Sequence, residues 1–353
     1  MTSATPDRAA LHAFVAKYGK ILLTTHVNPD GDAIGSELAF ARWLQGMGKQ
    51  VRILNDSPTP HAFSWLLVHH TIELYDEALA ENCFEWADAL VVLDTGNRSR
   101  IGRLSDHLDR HLIPIAVVDH HATHDGFGVV NVIEPAQASA SSLVFDLVRE
   151  SGATIDRAMA DALYVGLSTD TGNFKYSNSD AAAHRMAAEL ITLGVEPQVV
   201  HLRVNATAPA GRLRFFGEVL AQLQVLENGR VVVIEASPDQ FQRHGLVGAD
   251  TEGLVDMPRV IAGVEVVMLV SEVKPGKIKV SLRSMGRVSI DQVVARLGGG
   301  GHAHAAGAQL VGTREDAKAK ILPELHKLIA ILDEKTGASG ADGAAGAAAG
   351  KRA

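Results

Sequence analysis

Cysteine is nearly absent from this chain. Cys83 is the only one in 353 residues, which excludes an internal disulfide and any thiolate metal cage. A reducing cytoplasm is the natural expectation. Aromatic residues are sparse, at 5% against 46% apolar residues overall, and no long uncharged apolar stretch occurs. The longest apolar runs are strand-length, far below the ~20 residues of a membrane span. The opening MTSATPDRAALH lacks the basic region and apolar block of a signal peptide. A basic excess is also missing. The net charge of −8 argues against broad nucleic-acid affinity, which relies on extended basic surfaces. A local exception is VKPGKIKVSLRSMGR at 273–287, which holds five cations and no acid. Alone it reads as a solvated hairpin.

What the chain does have is alternation. A helix is expected over 8–18, a strand over 21–25, and a helix carrying Ile34, Leu38, Ala41 and Leu44 at helical spacing, with Gly46 and Gly48 near its end. A strand follows at 51–54. Strands and helices alternate to about residue 190, the pattern of a doubly wound, mainly parallel α/β sheet. Ile155, Met159, Ala162 and Gly166 share a face, so a helix capped by Thr154 is expected before Asp170. At 353 residues two domains are the default. The expected division is a larger N-terminal domain over 1–194, a linker with helical parts over 195–223, a smaller C-terminal α/β domain over 224–334, and a disordered tail over 335–353. In the tail, 13 of the 17 residues from Gly337 onward are Ala or Gly, too little apolar surface to offset chain entropy.

Ionisable residues gather where apolar runs stop. THVNPDGDAIGS (25–36) brings His26, Asp30 and Asp32 directly after one run, and VVDHHATHDG (117–126) brings Asp119, His120 and His121 after another. Asp94 ends ALVVLD, and Asp170 ends LYVGLSTD. Each has an ordinary explanation: Asp32 could cap the following helix, and Asp94 or Asp170 could close a turn. Four such clusters at four element ends are hard to explain as independent caps. Ligands in open parallel sheets bind just outside the carboxyl ends of the strands, so the segments are expected to converge on a divalent-metal site. Mixed carboxylate and imidazole ligands suit Mn²⁺, with Mg²⁺, Co²⁺ or Zn²⁺ as alternatives. Six ligand side chains exceed the need of one catalytic ion with open positions. Two ions ~3.5–4 Å apart sharing a carboxylate are expected.

At these residues the chain resembles the DHH phosphoesterase superfamily, and more narrowly its bacterial two-domain nanoRNase/pAp phosphatases. The motifs are HVNPDGDAIGS (26–36), LDTGNRSRIG (93–102), VDHH (118–121) and STDTGNFKYSN (168–178). The second domain contributes TEGLV (251–255), VSLRS (280–284) and GGGHAHAAG (299–307), which looks like the hallmark of the DHH-associated C-terminal domain. The resemblance spans residues 8–333. It implies one ion held by His26, Asp30 and Asp94, and another held by Asp32, Asp94, His120 and Asp170. Asp94 would bridge them. It places Asp119 and His121 in the catalytic set, with His121 facing the scissile phosphate. It also assigns substrate binding to Arg283, Ser284, His302 and the glycines Gly299, Gly300 and Gly301. Arg100, like Arg98, is a further phosphate contact or a surface residue.

The implied activity is metal-dependent hydrolysis of short oligoribonucleotides and of 3′-phosphoadenosine 5′-phosphate (pAp) to AMP. A clamp between two domains would favour short substrates and permit closure around them. A cyclic- or linear-dinucleotide phosphodiesterase would use the same motifs. Inorganic pyrophosphatases of the superfamily lack the GGGH and VSLRS context. A non-catalytic nucleotide sensor should lack a metal ligand, and none is missing. No long duplex and no membrane partner is expected; kinship alone points to a homodimer.

Overall fold

The computed structural model describes residues 6–121, 123–247, 251 and 253–336. The chain divides into two compact units, one ending at Thr207 and the other starting at Ala208. Among the described residues, the first unit holds one parallel sheet of six strands: β1 (Lys20–Thr24), β2 (Gln50–Asn55), β3 (Ile72–Leu74), β4 (Ala89–Leu93), β5 (Ile115–Asp119) and β6 (Val130–Ile133). Their spatial order is 3-2-1-4-5-6, so β1 pairs in parallel with both β2 and β4. The order therefore reverses between β1 and β4, which in such sheets opens a crevice beyond the strand ends.

The apolar runs are continuous because the sheet is covered on both faces. Ile21 and Leu23 of β1 join one core and Leu22 joins the other, as period-two side chains must. Helices α1 (Pro6–Lys17) and α2 (Gly31–Gly46) pack on one face. Helices α3 (Glu77–Trp86) and α4 (Leu104–Arg110) cover the other with Phe84 and Leu104. The first face is completed by α5 (Ala140–Glu150), α6 (Arg157–Asp170), α7 (Ala181–Thr192) and α8 (Pro197–Asn205). Helix α6 ends at Asp170 as expected, but its N-cap is Asp156, not Thr154. The Asp156 carboxylate accepts from Met159 N at 3.0 Å and also pairs with Arg42. An acid that both caps and ion-pairs outcompetes a threonine two residues earlier.

The second unit begins with α9 (Ala210–Leu220), β7 (Gln224–Leu226), β8 (Val231–Ala236) and α10 (Pro238–Arg243). It continues through β9 (Val266–Lys274), β10 (Lys277–Ser284), α11 (Asp291–Ala295), β11 (Gly300–His302), β12 (Ala305–Val311) and α12 (Arg314–Thr336). Its mixed sheet has the order 11-12-10-9-8-7, with β8 and β9 parallel and the other pairs antiparallel. Ile321 and Leu325 of α12 close one face, and Phe215 of α9 with Phe241 of α10 the other.

Residues 195–223, read above as a linker with helical parts, are mostly helical. Val200 of α8 is buried in the first unit's core, while Phe215 and Val219 of α9 are buried in the second's. Only 206–209 lie between the two helices. Pro197 and Pro209 gave the stretch its loop-like look, yet they stand at the first turn and the N-cap, where proline is tolerated. The expected disordered tail falls, from residue 337 on, outside the described residues. Among the described residues no helix is long and apolar enough to cross a membrane.

Candidate metal centre

The chain leaves β1 through Thr25 and His26 and turns at Pro29 into α2. Asp30 is the N-cap: its Oδ1 accepts from Asp32 N at 2.9 Å and Ala33 N at 3.1 Å. The cap is therefore Asp30, which leaves the Asp32 carboxylate to reach across to the start of α5. There it accepts from Ala140 N at 2.6 Å and Ser141 N at 2.8 Å, two amides of a helix N-terminus that favour a negative charge. Close helix packing makes this reach possible. A Cβ on Gly35 would lie 2.3 Å from Ala162 O of α6, and one on Gly166 would lie 1.9 Å from Ser141 Oγ. The same approach brings Asp170, the last residue of α6, up to Asp32.

Asp94 follows β4 in the left-handed region, at φ 59°. Asp and Asn tolerate that conformation better than most residues. It turns the carboxylate back over the sheet edge, with Oδ2 3.4 Å from His26 Nε2. His26 Nδ1 donates to Val27 O at 2.9 Å, which leaves the Nε2 lone pair facing the acid. From the end of β5, His120 Nε2 lies 3.6 Å from Asp170 Oδ2, 3.7 Å from Asp94 Oδ1 and 3.8 Å from Asp32 Oδ2. Two trios thus have mutually close donor atoms, all within 4.8 Å: His26, Asp30 and Asp94, and Asp32, His120 and Asp170. Asp94 and His120 also form such a trio with His121. All six metal ligands expected from the sequence converge.

The electrostatics leave the cluster incomplete without a cation. Burial pushes the Asp94 carboxyl well above its ordinary range, and Asp32, Asp30 and Asp170 push it further. Burial and the same acidic neighbours raise Asp170 to about 8, and burial raises Asp32. Asp94 Oδ1 is buried with no hydrogen-bond partner. Burial lowers His26, keeping its ring neutral, the form that ligates metal. A divalent ion would relieve every one of these strains, so the residues fit the expected group.

Asp119 and His121 form a separate pair beside the ligands. Asp119 Oδ1 accepts from His121 Nδ1 at 2.7 Å and from His120 N at 2.8 Å. Burial raises the Asp119 carboxyl, but its bond and charge interaction with His121 win and hold it below the usual range. Arg98 is tied to Asp109 at 2.7 Å, away from this cluster, whereas Arg100 receives Val27 N on its backbone carbonyl at 2.7 Å beside His26. Sequence reading missed the residues that hold the ligands. Asn178 Nδ2 donates to Asp170 Oδ2 at 3.3 Å and to Ala138 O at 2.8 Å. The signal for Ala140 and Ser141 was an ASASS run before an apolar helix, with Ser139 as its N-cap.

In the second unit, register explains the motif pairing. His302 of β11 pairs with Ala305 of β12, and Ala305 pairs with Arg283 of β10, so Arg283 and His302 lie at one level of the sheet. Arg283 Nε is 3.4 Å from Asp256 Oδ1. Ser284 is less available: its hydroxyl donates to Val288 O at 2.6 Å and accepts from Gly286 N. Glycine is required at Gly299 and Gly301, where a Cβ would meet Gly307 O at 2.3 Å and Ala305 O at 2.5 Å; Gly300 faces open space.

Comparison with known proteins matches residues 20–167 to the DHH family, N-terminal domain, and residues 228–331 to the DHHA1 domain. The bifunctional oligoribonuclease and PAP phosphatase NrnA of Thermus thermophilus is 32% identical, over 86% of this chain and 88% of its own. A cyclic-di-AMP phosphodiesterase, GdpP of Geobacillus thermodenitrificans, is 25% identical over 85% of this chain and 46% of its own. The crystal structure of an exopolyphosphatase-related protein from Bacteroides fragilis superposes with a TM-score of 0.90 at 28% identity, covering 94% of this chain and 100% of that one.

Proposed function

We propose that this chain, which belongs to the DHH family of phosphoesterases and carries a DHHA1 domain, hydrolyses short oligoribonucleotides and pAp with two divalent ions, Mn²⁺ foremost. The observation that carries this reading is the convergence of six ligand side chains into two trios around Asp94. His26, Asp30 and Asp94 would hold one ion. Asp32, Asp94, His120 and Asp170 would hold the other. When bound, such a pair acidifies a water and offsets the charge that develops on the phosphoryl oxygens. The protein supplies the rest. Asp119 accepts a hydrogen bond from His121 Nδ1, which orients the ring. A ring so held would meet a phosphate oxygen with its other nitrogen. Arg283, His302 and the backbone around Gly300 are assigned to the substrate's phosphate and nucleotide, with Arg100 as an added phosphate contact. The buried thiol of Cys83, which burial pushes up to about 11, suits a reducing cytoplasm.

Likeness to a cyclic-di-AMP phosphodiesterase supports a second reading, dinucleotide hydrolysis. Rates of the Mn²⁺-loaded protein on pAp, a dinucleotide, a pentanucleotide, a long RNA, cyclic di-AMP and pyrophosphate decide between them. Fastest turnover of pAp and the shortest RNAs is expected. Preference for cyclic di-AMP or long RNA would overturn the substrate assignment. Metal analysis separates the two histidines: His120→Ala should lose metal, whereas His121→Ala should keep it and lose kcat.

A further inference from the structure

A second set of metal-type donors lies on the opposite face of the first unit's sheet, on the layer made by α3 and α4. His107 of α4 and His111, the residue that caps it, are one turn apart on the same side. Glu81 of α3 faces them. One donor atom from each of Glu81, His107 and His111 lies within 4.8 Å of the other two. His107 Nδ1 is 3.4 Å from Glu81 Oε2, and His111 Nε2 is 3.0 Å from Glu81 Oε1. His107 is fully buried, at 0% exposure. Its Nδ1 and the Glu81 Oε2 that faces it are both buried atoms without a hydrogen-bond partner, and His111 Nε2 has only the Glu81 contact. Buried polar atoms are normally satisfied, so two that face each other beside a second imidazole mark a missing ligand.

We propose that Glu81, His107 and His111 bind a borderline divalent cation, zinc above all, as a structural tie between α3 and α4. Two imidazoles and one carboxylate, with water in the fourth position, form a donor set that zinc accepts. The rings are already held for it. Phe84 stacks on His107 at 5.1 Å and on His111 at 5.5 Å between centroids. The other His107 nitrogen, Nε2, lies 3.5 Å from the Tyr75 hydroxyl and 3.8 Å from Glu77 Oε1, acceptors of the kind that orient a liganding imidazole. Burial lowers His107, favouring the neutral ring that ligation needs. Arg110 is the competitor: Nη2 is 3.2 Å from His107 Nε2 and Nη1 is 3.5 Å from Glu81 Oε2. With zinc in place, His107 Nε2 carries the proton and Arg110 keeps its 3.0 Å contact to Glu77.

The test is zinc content by elemental analysis after dialysis against micromolar Zn²⁺, for the wild type, Glu81→Gln and His111→Gln. Each variant should hold one equivalent fewer than the wild type while hydrolysing pAp at the wild-type rate with Mn²⁺. Glu81→Gln is nearly isosteric and lies on a different helix from His111, so the pair guards against a folding artefact. The readout is a difference between proteins that share the whole DHH centre, so it stands whatever that centre holds. Equal zinc content in all three proteins overturns the proposal and leaves the trio an ionic contact between two helices.

Discussion

Asp94 concentrates the conflict between stability and chemistry. Its carboxylate is nearly completely buried, faces acids on three other segments, and has one oxygen with no hydrogen bond. Without metal it is a liability at neutral pH, because the unfolded chain ionises freely while the folded one resists. Asparagine keeps the shape and accepts the left-handed backbone at φ 59°, which alanine would strain. Asp94→Asn is therefore expected to raise metal-free stability at neutral and mildly alkaline pH, where the wild-type carboxyl resists the ionisation open to it in the unfolded chain. The same change should abolish hydrolysis and the rise in Tm that Mn²⁺ gives the wild type. Melting curves with and without metal check both halves. A metal-induced rise of wild-type size in the variant would sink the bridging role.

Helix packing sets the ligand geometry at the next scale. The α2–α6–α5 contact runs through Gly35 and Gly166, and Gly166 also touches the acid that α5 holds: a Cβ there would lie 2.7 Å from Asp32 Oδ1. Gly166→Ala should cost roughly 1–3 kcal/mol by overpacking and weaken Mn²⁺ binding along with it. Gly46→Ala, at a position with nothing within 4 Å, is the control and should be neutral or stabilising by up to ~1 kcal/mol. Thermal melts and Mn²⁺ titrations of both variants decide it; a Gly166→Ala protein with unchanged affinity would uncouple packing from the centre. In the second unit the β10–β12–β11 register is the element that matters, since it sets Arg283 level with His302. Arg283→Ala is expected to remove one charge-assisted contact, roughly 1.5–3 kcal/mol, or about 10- to 150-fold in kcat/KM on pAp. Bis-p-nitrophenyl phosphate, which lacks a second phosphate, should be hardly affected. Equal losses on both substrates would make Arg283 part of the chemistry.

For the molecule as a whole, the strands and the convergence of the six candidate side chains were legible because a doubly covered sheet demands unbroken apolar runs and polar groups can only start where those runs end. What holds the ligands was not legible. Asp32 is secured by amides 108 and 109 residues away, and the ASASS run that marks their helix start does not say which acid they meet. The extent of the helices within 195–223 was hard to read for a similar reason, since a helix with one buried valine, Val200, scarcely differs in pattern from a loop. Glu37 is the clearest case. On an amphipathic helix a glutamate reads as solvent-facing, yet Glu37 is fully buried, with Asn55 Nδ2 donating to it at 2.8 Å. Burial raises its carboxyl to about 8 despite that bond, from an ordinary 4.5. Glu37 is thus protonated in the folded protein over a range in which the unfolded chain ionises. Its contribution is fully present below about pH 4.5, falls by up to about 1.4 kcal/mol per pH unit as pH rises, and is flat above about 8. Glutamine is neutral throughout and retains an acceptor for Asn55. Denaturant unfolding of metal-free wild type and Glu37→Gln should therefore diverge steadily between about pH 5 and 8, the variant gaining. Asp32, Asp94 and Asp170 tilt both proteins in the same direction, so the difference isolates Glu37. Saturating Mn²⁺ should reverse the share due to those aspartates, because metal binding favours their deprotonated forms. The Glu37 difference should survive metal unchanged. A gap between the two proteins that does not vary with pH would mean that Glu37 is ionised inside the fold, and that the Asn55 contact outweighs burial.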